Sequence, residues 1–470
     1  MKPSMDILQA MGDRRLFGPH FRGETWTRWK VFLAALFALP LDDDAAAIYR
    51  QHTGRETAPT AAFREASLIC GRRGGKSRVL ALIAVYLAAF RDYTPHLAAG
   101  EVATIGIIAA DRRQARTILR YVNGLLDDVP LLAGLRESET TDSVSLTNRV
   151  VIEIATASFR VTRGYSYAAV LCDEVAFWRS EDSANPDAEI LAALRPGLAS
   201  ISGSMLLKAS SPYAKRGVLW TDFRRYFGVD DARVLVWKGT TAEMNPGIDP
   251  ALLATAYEDD PANAAAEYGA EFRSDIAAFV AREVVEACTE AGCFEIEPTR
   301  AQQYFAFVDP SGGSADSMTL AIAHRFDDLA VLDAVREVRP PFSPESVVTE
   351  FAATLKTYGL RQVTGDRYAG EWPRERFREH GIDYLLSDRP KSDLYRDLLP
   401  LLNSSKVRLL DLPRLAAQLC GLERRTARGG RDSIDHPPGG HDDIANSVAG
   451  ALLGASAPRG FSFRLQDRSF

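Results

Sequence analysis

Ser67-Leu-Ile-Cys-Gly-Arg-Arg-Gly-Gly-Lys-Ser77 passes from an apolar strand through a glycine-rich turn to Lys76 and Ser77 at the start of a helical pattern. Such a turn, running into a helix N-terminus, leaves several backbone N–H groups without partners inside the chain, and those groups can face phosphate. On this reading Gly71, Arg72, Arg73, Gly74 and Gly75 wrap the phosphates of ATP, Lys76 reaches the β and γ oxygens, and Ser77 ligates Mg²⁺. The usual spacing G-x-x-x-x-G-K-[ST] would put glycine at position 70, where this chain has Cys70; the glycine follows at Gly71.

About a hundred residues downstream, Ala168-Ala-Val-Leu-Cys-Asp-Glu174 is an apolar strand ending in two carboxylates. Asp173 suits a Mg²⁺ held through water, and Glu174 suits the orientation or deprotonation of an attacking water. Such pairs also occur on ordinary surfaces; it is the preceding phosphate loop that gives this one meaning. Arg163 and Arg72 are the arginines placed to stabilise transition-state charge, and either also suits a solvated or structural role. Ser210 and Ser211, in Ala209-Ser-Ser-Pro-Tyr213, close the next apolar run near the expected γ-phosphate, where hydroxyls can sense nucleotide state or merely cap a turn.

Around these motifs the pattern is regular. Short apolar runs at 67–70, 104–109, 150–155, 168–172, 205–209 and 234–237 alternate with helical patterns, which predicts a largely parallel sheet covered by helices. Residues 76–90 are apolar on nearly every side and predict a helix buried against that sheet. A second helix begins after Asp111 and carries Ala115, Ile118, Leu119, Val122, Leu125 and Leu126 at helical spacing. Residues 1–60 read as a lead-in containing Trp26 to Lys30, and 250–273 as a helical appendage. The expected division is a P-loop ATPase domain over 1–275, a linker over 276–300 and a second domain over 301–470.

The second half has another rhythm. Runs at 304–308, 318–324 and 330–335 predict an antiparallel meander, and short strands at 362–365, 384–386 and 407–410 then alternate with helices at 344–358, 372–380, 392–402 and 413–424. That order is expected of an RNase H-like fold. Asp309 closes the first run, Asp366 follows Val363-Thr-Gly, and Asp442 and Asp443 open a helix in His441-Asp-Asp-Ile-Ala-Asn446. Acids brought together where adjacent strands end repel one another unless divalent cations join them. Two such ions, Mg²⁺ or Mn²⁺, would activate water and stabilise the leaving oxygen of a phosphodiester. Singly, each aspartate also suits a cap or turn, Asp443 above all. Lys391, Arg414, Arg424, Arg425, Arg428 and Arg431 offer cations to DNA phosphates, or simply a solvated face. His436 and His441 flank the acids, but hard cations prefer oxygen, so a loop hydrogen bond suits His441 better than a metal.

At 470 residues the chain exceeds one hydrophobic core, and 46% hydrophobic with 25% charged residues exclude global disorder. A net charge of −6 gives no general attraction to nucleic acid, so any DNA site must be a local cationic groove. Cys70, Cys172, Cys288, Cys293 and Cys420 include no Cys-x-x-Cys pair, which argues against zinc and against a disulfide framework. With no leader pattern, and an apolar run at 31–41 too short to cross a bilayer, the expectation is a soluble cytoplasmic protein without membrane association.

Taken together, the chain resembles the large terminase subunit of tailed bacteriophages over roughly residues 20–455. The resemblance rests on Gly71-Arg-Arg-Gly-Gly-Lys-Ser77, Arg163-Gly164, Cys172-Asp-Glu174, Ser210-Ser-Pro212, Phe307-Val-Asp309, Gly365-Asp-Arg367, Lys391-Ser-Asp-Leu-Tyr395 and His441-Asp-Asp443. It implies an α/β chain with a P-loop ATPase domain and an RNase H-like nuclease. This would be a motor subunit that hydrolyses ATP to drive double-stranded DNA into a procapsid and cuts the concatemer with a two-metal endonuclease. It further implies that Asp309, Asp366 and Asp442 cut DNA, that Ser210 to Pro212 couple hydrolysis to movement, and that Arg163 acts on a neighbour's ATP. The implied partners are a portal protein, a small terminase subunit and further copies forming a ring on the portal. The implied location is the bacterial host cytoplasm, with transient docking on the procapsid and no place in the mature virion. A helicase-nuclease of repair is a competing reading, against which stands the lack of a second motor domain. A non-catalytic nucleotide-binding adaptor is another, against which stand the many charged positions with coherent roles.

Overall fold

The computed structural model describes residues 5–157, 164–180, 183, 185–314, 316–366, 372–426 and 432–457. The chain divides into two units, one built on Met1–Arg179 and Asn185–Ser274, the other on Ser180–Ala184 and Asp275–Phe470.

In the first unit the strands β1 (Glu65–Cys70), β2 (Ala103–Ala109), β3 (Arg136–Glu139), β4 (Ser143–Leu146), β5 (Val150–Thr156), β6 (Tyr167–Asp173), β7 (Met205–Ser210) and β8 (Val234–Gly239) form one sheet. Its order is β3-β4-β5-β2-β6-β7-β1-β8. The strands from β5 to β8 along that order run parallel, and β3 and β4 add an antiparallel edge. Parallel strands covered on both faces need apolar side chains on both faces, and Ile105, Ile107, Val170, Leu171 and Cys172 are accordingly buried. The helix Lys76–Phe90 is buried on most sides. The helix Arg112–Asp127 opens where Asp111 accepts the Gln114 N–H at 2.9 Å, and it buries the six apolar residues read from its spacing.

Two features of this unit differ from the sequence reading. The β3-β4 edge was not anticipated, because Arg-Glu-Ser-Glu over 136–139 has no hydrophobic run; its charges suit a strand facing solvent on an edge. Residues 1–60 are more than a lead-in. Helices Ile7–Gly12, Thr27–Leu36 and Asp43–Thr53 join the main core, with Trp29, Phe32, Leu33 and Leu36 wholly buried. The appendage consists of the helices Pro250–Asp259 and Pro261–Glu267.

The second unit holds β9 (Ile276–Ala278), β10 (Thr289–Glu290), β11 (Tyr304–Asp309), β12 (Met318–Phe326), β13 (Leu329–Val338), β14 (Gln362–Gly365), β15 (Asp383–Leu386), β16 (Val407–Leu410), β17 (Glu423–Thr426) and β18 (Asp432–Asp435). The main sheet has the order β10-β16-β13-β12-β11-β14-β15, and a small one has β18-β17-β9. The three strands β11 to β13 are antiparallel, and β14 and β15 continue from β11 in parallel, which is the RNase H-like arrangement. Val308 pairs with Gly365 across β11 and β14, so Asp309 and Asp366, each one residue further on, leave the sheet edge side by side. The helix Asp443–Ser456 lies against β11 and β12. A Cβ at Gly450 would overlap the Phe307 ring, so only glycine allows that approach.

Residues 276–300 are not a bare linker. They carry β9, the helix Arg282–Cys288 and β10, and Phe279, Val280, Val285 and Cys288 enter the second unit's core. The helix expected over 413–424 stops at Gly421, and Glu423–Thr426 becomes β17 between β9 and β18. Both partners of β17 are distant or only later in sequence, so tertiary pairing overrides a local helical pattern. All five cysteines are free thiols, and no helix among the described residues is long and apolar enough to cross a membrane.

Candidate functional site

The first site forms at the carboxyl ends of parallel strands, where ligands of open α/β sheets bind. Because β7 lies between β1 and β6, its last residue, Ser210, sits between the loop leaving β1 and the Asp173-Glu174 pair ending β6. The Lys76 ammonium is buried, donates to the Cys70 carbonyl at 2.9 Å and to the Gly71 carbonyl at 3.4 Å, and lies 3.5 Å from Glu174 Oε1. Burial, the largest single influence, lowers its pKa, but the Glu174 carboxylate together with Cys70 and Asp173 outweighs burial and holds it above the ordinary lysine value. Glu174 stands in left-handed backbone at φ 48°, and its Oε2 accepts from Ser210 Oγ at 3.0 Å and Ser211 N–H at 3.3 Å.

Asp173 behaves differently. Burial first, and then the neighbouring Glu174, push its pKa up to about 7. Its Oδ1 is buried without a hydrogen-bond partner. An orphaned carboxylate oxygen here, with the Ser77 hydroxyl in the first turn of the facing helix, suits the oxygen donor set of Mg²⁺.

The structure also accounts for the displaced glycine. Cys70 is the buried last residue of β1, and its place tolerates a thiol. Gly71 is where the turn after β8 comes close: a Cβ there would run into Thr241 Oγ1 and the Tyr268 carbonyl. Arg72 points to its own unit, with its guanidinium 3.2 Å from Glu267. Trp29, in the lead-in segment Trp26 to Lys30, donates its indole N–H to the Gly74 carbonyl at 2.9 Å. Arg163 and Arg367 fall outside the described residues, as do Arg428 and Arg431.

In the second unit, Asp309, Asp366, Asp442 and Asp443 line one cavity of about 240 Å³ together with Lys391 and Asn446. Thr319, paired with Asp309 across β11 and β12, donates to the Asp443 carbonyl at 2.7 Å and so seats the helix start beside the strand end. Burial, reinforced by the Asp366 carboxylate, raises the Asp309 pKa well above the ordinary value. Burial likewise raises Asp366, and burial with the adjacent Asp442 brings Asp443 to about 6.

Asp442 is held otherwise. Its carboxylate accepts from Tyr395 Oη at 2.8 Å and lies 3.0 Å from the Lys391 ammonium, which also reaches Asp435 at 2.8 Å. Asp443 Oδ2 and Asn446 Oδ1 are buried without hydrogen-bond partners. Crowded carboxylates with raised pKa values and orphaned oxygens make a donor set that fits hard divalent cations. Asp435, His436 and Asp442 also have ligand atoms within 4.8 Å of one another, but the Lys391 ammonium already bonds both of those aspartates. The other cations have local partners: Arg414 bonds Glu337 at 2.8 Å, Arg424 bonds Asp432 at 2.6 Å, and Arg425 bonds Glu423 at 3.1 Å. His441 Nδ1 lies 3.6 Å from Asp316, and His436 Nδ1 meets the Pro437 carbonyl at 2.9 Å.

No family profile matches the chain, and neither does any curated protein. Among solved structures, the large terminase of bacteriophage HK97 aligns over 97% of this chain and 100% of its own, with a TM-score of 0.45 and 15% identity. The large terminase of the thermophilic bacteriophage D6E in complex with ADP aligns over 83% of this chain and 93% of its own, with a TM-score of 0.37 and 11% identity. The large terminase nuclease of the thermophilic phage G20c with bound magnesium covers 34% of this chain and 84% of its own, with a TM-score of 0.30 and 18% identity. The chain is similar to phage large terminases.

Sequence reasoning gave no role to three residues that hold the acids or Lys391. Asn446 donates to Asp366 Oδ2 at 2.6 Å; it stands three positions after Asp443, one helical turn on, and that spacing was the available signal. Tyr395 follows Lys391 by four positions, which places both on one helix face toward Asp442. Asp435 carried no such signal, because it meets Lys391 through strand β18.

Proposed function

We propose that this chain is a subunit of a viral DNA-packaging motor: it hydrolyses ATP to drive double-stranded DNA into a procapsid and cuts the DNA at a divalent-metal site. The observation that carries the reading is the presence, on two folding units of one chain, of a phosphate loop with its paired carboxylates and a cavity where Asp309, Asp366, Asp442 and Asp443 converge.

In the first site the loop N–H groups and Lys76 bind the nucleotide phosphates, and Ser77 and Asp173 hold Mg²⁺, which when bound neutralises phosphate charge. Glu174, kept in place by Ser210 and Ser211, orients the attacking water and takes its proton. Ser210 touches the catalytic carboxylate and ends β7, so a change at the γ-phosphate passes through Glu174 to that strand. In the second site Asp309, Asp366, Asp442 and Asp443 hold two Mg²⁺ or Mn²⁺ ions, which when bound supply an activated water and a clamp on the scissile phosphate. Asn446 keeps Asp366 oriented, and Lys391 with Tyr395 keeps Asp442 in place. The partners that go with this role are a portal protein, a small DNA-recognising subunit and further copies of the chain in a ring, with Arg163 completing a neighbour's site. Work takes place in the host cytoplasm on the procapsid.

The test is a crossed pair of variants. Lys76→Ala should lower ATP hydrolysis at least about a hundredfold and stop packaging while divalent-dependent DNA cutting persists, and Asp309→Asn should do the reverse. Cutting by Asp309→Asn at the wild-type rate would remove the nuclease half of the reading, and strand separation by the wild-type protein would favour a helicase-nuclease.

A further inference from the structure

All five carbonyls of the phosphate loop from Cys70 to Gly74 have a donor. Lys76 takes the first two. The next three are taken, one each, by side chains from outside the loop. Thr241 Oγ1 donates to the Arg72 carbonyl at 2.7 Å, Asn245 Nδ2 to the Arg73 carbonyl at 2.9 Å, and Trp29 Nε1 to the Gly74 carbonyl at 2.9 Å. The Trp29 indole also reaches the Met244 carbonyl at 3.2 Å, so it joins the loop to the short helix Thr241–Met244 that carries the other two donors or leads into them. That helix is itself closed by a capping box between Thr240 and Glu243. Thr241 and Trp29 are wholly buried.

The geometry of the peptide bond gives this arrangement a consequence. In a trans peptide the N–H of one residue points opposite to the carbonyl before it. Anchoring the carbonyls of residues 72, 73 and 74 therefore sets the directions of the Arg73, Gly74 and Gly75 N–H groups. The Gly74 N–H closes the turn onto the Gly71 carbonyl at 3.2 Å. Those of Arg73 and Gly75 join the first-turn N–H groups of the helix from Lys76, and left-handed backbone at Arg73 (φ 63°) and Gly75 (φ 103°) bends the loop into the concave form that receives anions.

We propose that Thr241, Asn245 and Trp29 are positioning residues of the nucleotide site: they hold the loop from behind so that its N–H groups face phosphate before nucleotide arrives. Preset donors cost less to organise on binding, so the effect belongs to affinity and KM more than to the chemical step. The proposal rests on the reading of this loop as the nucleotide site.

The experiment measures binding of the fluorescent nucleotide mant-ADP with Mg²⁺ to the full chain. Thr241→Val keeps the shape and removes the donor, Thr241→Ser keeps a hydroxyl, Asn245→Ala removes a donor on a half-exposed side chain, and Lys76→Ala is the control. Thr241→Val and Asn245→Ala should each weaken binding about tenfold, the scale of one lost hydrogen bond. They should raise KM for ATP with kcat at saturation kept within about twofold, and Thr241→Ser should restore binding to within about twofold. If Thr241→Val and Asn245→Ala bind like wild type while Lys76→Ala does not, the positioning role is overturned and the nucleotide site stands. If Thr241→Ser weakens binding as much as Thr241→Val, packing and not the hydrogen bond is responsible, and the role is again overturned. If Lys76→Ala also binds normally, the loop is not the nucleotide site and both readings fail together.

Discussion

In the first unit Lys76 lies among the Glu174 carboxylate and the carbonyls of its own loop, and Glu174 in turn is bonded by Ser210 and Ser211. In the second, Asp309, Asp366, Asp442 and Asp443 share a cavity with one ammonium, that of Lys391, which is engaged with Asp442 and Asp435. The nucleotide site carries its main counter-charge within its own motif, so it can fold intact before a ligand binds. The aspartate cavity does not. Apart from Asp442, which Lys391 engages, its acids shift toward the protonated form or draw cations from solution. One sequence thus contains a site that awaits an anion and a site that awaits cations, and only the second should make the fold depend strongly on its ligand.

The largest expected effect follows from that dependence. Chelating divalent ions should abolish DNA cutting and lower the unfolding temperature of the second unit, while ions at a hundredfold over their dissociation constant should add about 2.7 kcal/mol. The pH gives the sign. The folded-state pKa of Asp443 is about 6, and those of Asp309 and Asp366 are raised too, so these groups bind more protons in the folded unit than in the unfolded chain between about pH 4 and 6. Metal-free protein should lose stability as pH rises through that window, and the gain on adding Mg²⁺ should grow over the same range, because only deprotonated carboxylates bind it. Urea midpoints across the window, with Mg²⁺ and with chelator, measure both. A metal-free midpoint that rises between pH 4 and 6 would contradict the contrast between the two sites.

A smaller effect should follow Asn446→Ala, which leaves Asp366 without the amide that orients it. Calorimetric Mn²⁺ affinity should fall about 10- to 100-fold, as for other residues that orient metal ligands, with nucleotide binding untouched. Comparable in size but confined to stability is Gly450→Ala, whose new Cβ would meet the Phe307 ring. About 1–3 kcal/mol of overpacking should appear in the unfolding of the second unit alone, and a matching loss in ATP hydrolysis would contradict that locality.

Much of the first site was legible because it is local. A strand, a glycine turn and a helix start lie consecutively in 67–77, so the chain's own order places the N–H groups, Lys76 and Ser77 together. What supports that loop was hardly legible: Trp29, Thr241 and Asn245 lie 45, 169 and 172 residues from the carbonyls they bond, and Thr241 and Asn245 carry no motif. In the second unit the acids at strand ends and at the helix start could be read, but Asn446, Tyr395 and Asp435 only become partners once helices and strands are packed. The first two residues of β17 were misread as helix for the same reason, since the strand's identity comes from β9 and β18 rather than from its own spacing.

The sequence by itself determined the succession of strands and helices, the phosphate loop and the type of chemistry at each carboxylate, because periodicity, turn residues and side-chain charge act over a few neighbouring positions. Tertiary structure decided the rest. The pairing of Val308 with Gly365 sets Asp309 beside Asp366, and the close seat of Gly450 on Phe307 with the Thr319 bond to Asp443 brings the last two acids to them. Such convergence depends on register and packing between segments far apart in the chain, and those are selected by the burial and hydrogen bonding of the whole unit.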